Sequence, residues 1–165
     1  MFKLKVKIPR TVDIKTLLAN NLVDDELVNA VQNDVIEQTI KPLIASGTSP
    51  VDSYEGSRRF RKYKDPKSYP DKLKSKTPVN LYLSGVMLSY YKAYAIGKNI
   101  LRLGIPSYAP EDVKVRAEAN NVGTESIAAR RFIPLQGETF KISVLRRLKD
   151  IYARKIASIL STKKR

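Results

Sequence analysis

The chain contains no cysteine, no histidine and no tryptophan in 165 residues. Without cysteine there are no disulfides and no thiolate metal sites. Without histidine, the commonest general base, the commonest zinc ligand and most catalytic triads are missing. Acidic residues are also scarce, 16 against 31 Lys and Arg, for a net charge of +15. No apolar run approaches the ~18 residues a membrane-spanning helix needs. The start, Met1-Phe-Lys-Leu-Lys5, does not read as a secretory signal. There is no P-loop, no Gly-rich dinucleotide fingerprint and no EF-hand spacing. Ser89-Tyr-Tyr-Lys92 matches the S-x-x-K nucleophile motif, but its companion motifs are missing. Glu111-Asp112 is explained by its place in a first helical turn. The expectation is a protein that is not an enzyme, with no cofactor, no metal and no membrane partner.

What is present suits a soluble globular protein: 42% hydrophobic and 28% charged residues, enough for one domain over residues 1–165. The charge is unevenly spread. Residues 11–50 carry two basic and six acidic groups, whereas residues 54–76 carry nine basic and three acidic ones. Residues 141–165 carry nine basic groups and one acid. A polyanion, or an acidic neighbouring subunit, is the natural partner for such a chain.

Along the chain, residues 2–8 alternate strictly between apolar residues and lysine, which predicts a half-buried strand ended by Pro9. Asp13 can cap a short helix to Leu18, and Asp24 a longer one to about residue 45. At about 100° per residue, Leu27, Val28, Val31 and Val35 share one arc of that helix, and Ile36, Ile40, Leu43 and Ile44 the adjoining one. So broad an apolar surface predicts cover on two sides, with Ile36, Ile40 and Ile44 facing a neighbouring subunit. Pro42 should kink or end the helix.

Residues 47–76 read as an extended basic loop or arm, with Arg58, Arg59, Phe60, Arg61, Lys62 and Tyr63 interleaving cations and aromatics. That mixture suits nucleic-acid stacking and protein-interface anchoring equally. An extended entry with Pro78, Leu81 and Leu83 passes into a short helix at Gly85. Tyr90 to Ile96 and Ile100 to Ile105 then form a hairpin around Gly97-Lys98-Asn99. Pro110 at N1 starts a helix to about Asn121, with Gly123 at its end. A rigid connector follows, Ile127-Ala-Ala-Arg-Arg-Phe-Ile-Pro134, and then Gly137-Glu138 opens a basic amphipathic helix over 139–161. Arg130 and Arg131 are expected to be interface or ion-pair residues. At least one should grip a carboxylate, the nearest supply being Asp24, Asp25 and Glu26 or Glu111 and Asp112.

Four pieces stand in a suggestive order: Gly47-Thr-Ser-Pro-Val51, Thr77-Pro-Val-Asn-Leu-Tyr-Leu-Ser-Gly-Val-Met-Leu88, Asn120-Asn-Val-Gly-Thr124 and the connector. In that order they resemble the neck proteins of tailed bacteriophages, the tail-completion or virion-morphogenesis family. That family shows a "G-x-SPV" turn, then "SPVNL-x-LTG-x-ML", "hN-x-G" and "PARRFLP". Ser84 stands for the usual Thr, Ala128 for a frequent Pro, and Asn120 or Asn121 for a frequent His. The resemblance covers roughly residues 44–160. It implies a structural virion protein at the head–tail junction, assembled in the host cytoplasm. Such a subunit forms a homo-oligomeric ring around the DNA channel, against the portal-side adaptor and the tail terminator or tail tube.

The expected fold is α+β, a small, mostly antiparallel sheet packed against the long helix and the C-terminal helix. Phe132, Ile133 and Pro134, with Pro78, Leu81, Leu83, Gly85 and Gly123, are its expected structural anchors. The residues alone leave a second function open, that of a small basic nucleic-acid-binding protein of ribosomal or nucleoid type.

Overall fold

Asp24 begins the first helix as its position predicts. Its carboxylate accepts the Leu27 N–H at 2.9 Å, and Asp25 and Glu26 occupy the first turn, where the helix dipole favours acids. In the computed structural model, which describes residues 22–52, 59–60, 81, 85–97, 100–125 and 127–161, this helix changes its winding twice. It runs as α1 (Asp25–Val31), then as a π-helical segment (Gln32–Ile40), then as α2 (Lys41–Ala45). The π segment ends where the Lys41 N–H reaches the Ile36 carbonyl. Pro42 therefore stands in the first turn of α2, where the N–H it lacks is not required. Pro42 does not end the helix.

The winding overturns one expectation. At 100° per residue Val31, Val35, Ile36, Ile40 and Ile44 scatter over more than half the circumference. Bonds from i to i+5 lower the winding to about 80° per residue and draw the same side chains into an arc of about 80°. All five are 0% exposed. Ile36, Ile40 and Ile44 therefore line the chain's own core and do not face a neighbouring subunit.

The expected hairpin is present. Strands β1 (Lys92–Ile96) and β2 (Ile100–Gly104) pair antiparallel, from Lys92 opposite Gly104 to Ile96 opposite Ile100. Gly97 turns the chain with φ 62°. Two strands are marginal in isolation, and this pair leans on the long helix. β1 packs against α1 and the π segment, and the Gln32 side-chain carbonyl accepts the Ala93 N–H at 2.9 Å.

Three further helices complete the described fold: α3 (Val86–Ser89), α4 (Glu111–Val122) and α5 (Ile142–Ser161). Gly85 leads into α3 with φ 72°, and α3 packs on α4. Pro110 is the N-cap of α4, one residue outside the expected N1 position. The C-terminal helix starts at Ile142, later than expected, and lies along α1 and the π segment. Val144 and Ile151 are buried there, with Leu148 packed beside them. The class is α+β, a small antiparallel sheet with helices.

Phe60 supplies another correction. Expected to reach outward from the arm, it is buried in the core, and its N–H is bonded to the Gly47 carbonyl at 2.7 Å. Arg59 beside it is exposed. The expected strand 2–8 and helix 13–18, together with Arg58, Arg61, Lys62, Tyr63, Pro78 and Leu83, lie outside the described residues.

Candidate functional site: a buried polar knot at the connector

The last turn of helix α4 holds Asn120-Asn121, residue types that favour caps and turns over helix interiors. Here they serve the connector. The Asn121 Oδ1 accepts the N–H groups of Phe132 and Ile133, both at 2.8 Å, and its Nδ2 donates to the Ile133 carbonyl at 3.0 Å. The Asn120 carbonyl accepts the Arg130 N–H at 2.6 Å. A buried amide thus stands in for a missing strand partner and fixes the register of residues 130–133.

Ser49 holds the connector from its other side. Its hydroxyl donates to the Arg131 carbonyl at 2.5 Å and accepts the Val51 N–H at 3.0 Å. Beside it Val51 bridges Phe140 antiparallel, with the Asp52 N–H on the Thr139 carbonyl and the Lys141 N–H on the Pro50 carbonyl. Tyr91, fully buried, stacks obliquely on Phe132 with ring centroids 5.9 Å apart and donates its OH to the Phe132 carbonyl at 3.3 Å. Burial pushes the Tyr91 phenol pKa well up, so it stays a neutral donor.

The two arginines divide their work. Arg130 is only 1% exposed, and its Nη1 donates to Asn120 Oδ1 at 3.3 Å. Of the interface or ion-pair role expected of it, the interface half does not hold, because Arg130 is an internal residue. Arg131 does bind a carboxylate: its Nε donates to Glu138 Oε1 at 3.1 Å while its Nη1 donates to the Asn121 carbonyl at 2.6 Å. The partner is neither acidic helix start but Glu138, seven residues on. Glu138 also accepts the Leu135 N–H at 2.8 Å, closing the turn that contains Gly137. It belongs to the knot and does not open the last helix.

Gly123 lets the connector approach α4. Its φ is 90°, and a Cβ there would stand 2.9 Å from the Ala129 nitrogen. Phe132 is wholly buried, Pro134 half-buried, and Ile133 packs towards the hairpin, 3.5 Å from where a Cβ on Gly104 would sit. Leu81, Met87 and Leu88 enter the same core. The arrangement consumes its side-chain donors and acceptors largely on main-chain groups, so its chemistry is positional.

A second electrostatic feature joins α5 to α1. Lys155, in line with Val144, Leu148 and Ile151, meets Asp24 and Glu26, each at 2.5 Å, and Arg154 meets Asp34 at 3.5 Å. Partial desolvation works to raise the Asp24 pKa, but the Lys155 ammonium and the Leu27 N–H outweigh it and hold the carboxyl below its ordinary range. Bonds to Asp24 and Glu26 hold the Lys155 ammonium above its own ordinary range.

Sequence reasoning missed Ser49, Asn121, Glu138 and Lys155 as working residues. Two left a signal: Asn121 is a poor helix former in a last helical turn, and Lys155 is a cation on an apolar seam. Compared with known proteins, the chain matches no protein-family model, no curated protein and no solved structure.

Proposed function

We propose that this protein is a structural, non-enzymatic subunit of the neck of a tailed-bacteriophage particle. It stands at the head–tail junction as one protomer of a homo-oligomeric ring around the DNA channel. One observation carries the reading. Of the stretches whose order resembles that family, 47–51 lies far in sequence from the neighbouring 120–124 and 127–134, Ser49 being 82 residues from Arg131, yet the three share one hydrogen-bonded knot. The fourth stretch, 77–88, enters the same core through Leu81, Met87 and Leu88. Residues chosen for one another in this way support a common fold with that family, and with it the family's role. The partners are copies of the chain, the portal-side adaptor and the tail terminator or tail tube, with no membrane. Assembly takes place in the host cytoplasm and the product resides in the virion.

Native mass spectrometry of the protein, alone and mixed with purified virion necks, tests this reading. A discrete high-order multiple, alone or on the neck, is the expected result, and a monomer or dimer in both samples overturns it. Portal, capsid and tail-tube genes beside this one are also expected. The uncompensated cations of α5 favour a second reading, a small nucleic-acid-binding protein that remains monomeric or dimeric.

A further inference from the structure

The two surface helices treat their charges differently. On α4 the cations are matched within the helix, Lys114 to Glu111 at 2.6 Å and Arg116 to Asp112 at 3.5 Å. On α5 only the distal pair is matched, Arg154 and Lys155, by acids of the long helix. Arg146, Arg147 and Lys149 are exposed, and no carboxylate lies within ion-pair distance of them among the described residues. Asp150 stands within the i+3 and i+4 reach of Arg147 and Arg146, yet it pairs with neither.

The helix fixes where these cations point. At about 100° per residue, Val144, Leu148, Ile151 and Lys155 mark the inward seam; Arg146 and Lys149 fall on the opposite half, Arg154 at its edge and Arg147 on the flank nearer the seam, with exposed Asp150 between Arg146 and Arg154. From Arg146 to Arg154 the stripe spans about 12 Å of axis. Exposed Ser143, Ala153 and Ala157 between and beside the cations keep the surface low, so a partner can come close to the charges. The exposed apolar residues of the helix, Ile142 and Leu160, stand outside the stripe, towards its two ends. Protein–protein contacts have the reverse plan, an apolar centre depleted of charge inside a polar rim.

We infer that this outward face of α5 binds the phosphate backbone of a nucleic acid. Arginine and lysine on a rigid rod neutralise successive phosphates and release their counterions. The inference stands on α5 and holds whether or not the chain forms a ring.

Fluorescence anisotropy with a mixed-sequence DNA duplex over a salt series tests it. For the full chain, log affinity should fall linearly with log salt. The triple variant Arg146→Gln/Arg147→Gln/Lys149→Gln should make that slope shallower by about 2 to 3, at about 0.9 per lost phosphate contact, and weaken binding roughly ten-fold or more at low salt. The control Lys114→Gln/Arg116→Gln should change neither, and thermal melting by circular dichroism should show both variants folded. No binding by the wild type, or a slope unchanged in the triple variant, overturns the inference. A triple variant that keeps DNA affinity but loses self-assembly also overturns it, and assigns the face to a protein contact. A wild type that stays monomeric yet shows the expected slopes leaves the inference standing and removes only the ring reading.

Discussion

Replacing Asn121 with Ala should damage the fold out of proportion to the atoms removed. The amide Oδ1 is the acceptor for two consecutive main-chain N–H groups, those of Phe132 and Ile133. Phe132 is fully buried, so its N–H would lose its partner where water has little access. Each buried donor left unsatisfied costs about 1–3 kcal/mol. Ile133 is only partly buried, so water can replace its bond and its share falls at the low end. Adding the lost bond to the Ile133 carbonyl, the expected total is about 3–5 kcal/mol, a large part of the ~5–15 kcal/mol that holds a domain of this kind folded. For a chain of this length that lowers Tm by roughly 6–20 °C. Urea unfolding should show the midpoint falling with the m-value unchanged. Val122→Ala, one residue along on the exposed side, should stay within about 0.5 kcal/mol. A loss below about 1 kcal/mol for Asn121→Ala would refute the reasoning that this amide, and not apolar packing alone, sets the connector's register.

Ile40→Asp should abolish the folded monomer's circular dichroism, because a carboxylate at a fully enclosed position costs several kcal/mol; a folded monomer that merely fails to assemble would return Ile40 to a subunit contact. Gly123→Ala should cost about 2–4 kcal/mol by urea unfolding, combining an unfavourable φ with the clash on Ala129. Gly137→Ala, with φ 84° but open space around it, should cost about 1 kcal/mol; equal losses would mean that close approach is irrelevant at Gly123. Lys155→Met should lower stability by about 1 kcal/mol, since Asp24 and Glu26 remain solvent-exposed. Asp24 is held low, so its share is present above about pH 4 and is lost as pH falls through the lowered value. Lys155 is held high, so its share is present below about pH 10 and is lost as pH rises through the raised value. The stability gap between wild type and variant should therefore be flat between those limits and close beyond them; a constant gap at every pH would point to packing alone.

The elements that depend on local chemistry were legible in the residues. Asp24, Gly85, Gly97 and Gly123 mark helix starts, a turn and a helix end because capping and positive φ are properties of single residues. What was not legible depends on distance through space. Arg131 needed a carboxylate, but nothing in its neighbourhood along the chain says that Glu138 folds back to it while the acidic helix starts stay away. Phe60 sits among arginines and reads as exposed until its N–H is seen on the Gly47 carbonyl. The Ser49 hydroxyl and the Asn121 amide meet one connector from opposite sides, and only the tertiary fold brings them there. The misplaced interface came from one assumption, that every helix winds at 100° per residue.

That winding has a consequence for counting. Nine residues, Gln32–Ile40, complete about two turns that an α-helix would complete in about seven. The rod therefore carries two residues more than its gearing requires, stored without displacing either end. Removing one residue would leave α2 and the 47–51 turn out of phase with α1. Removing Ile36 and Glu37 together and winding the remainder as α-helix keeps Val31, Val35, Ile40 and Ile44 within an arc of about 60°. In phase alone, losing these two residues together is neutral where losing either one is not, a parity rule that a residue-by-residue view of the helix would not contain.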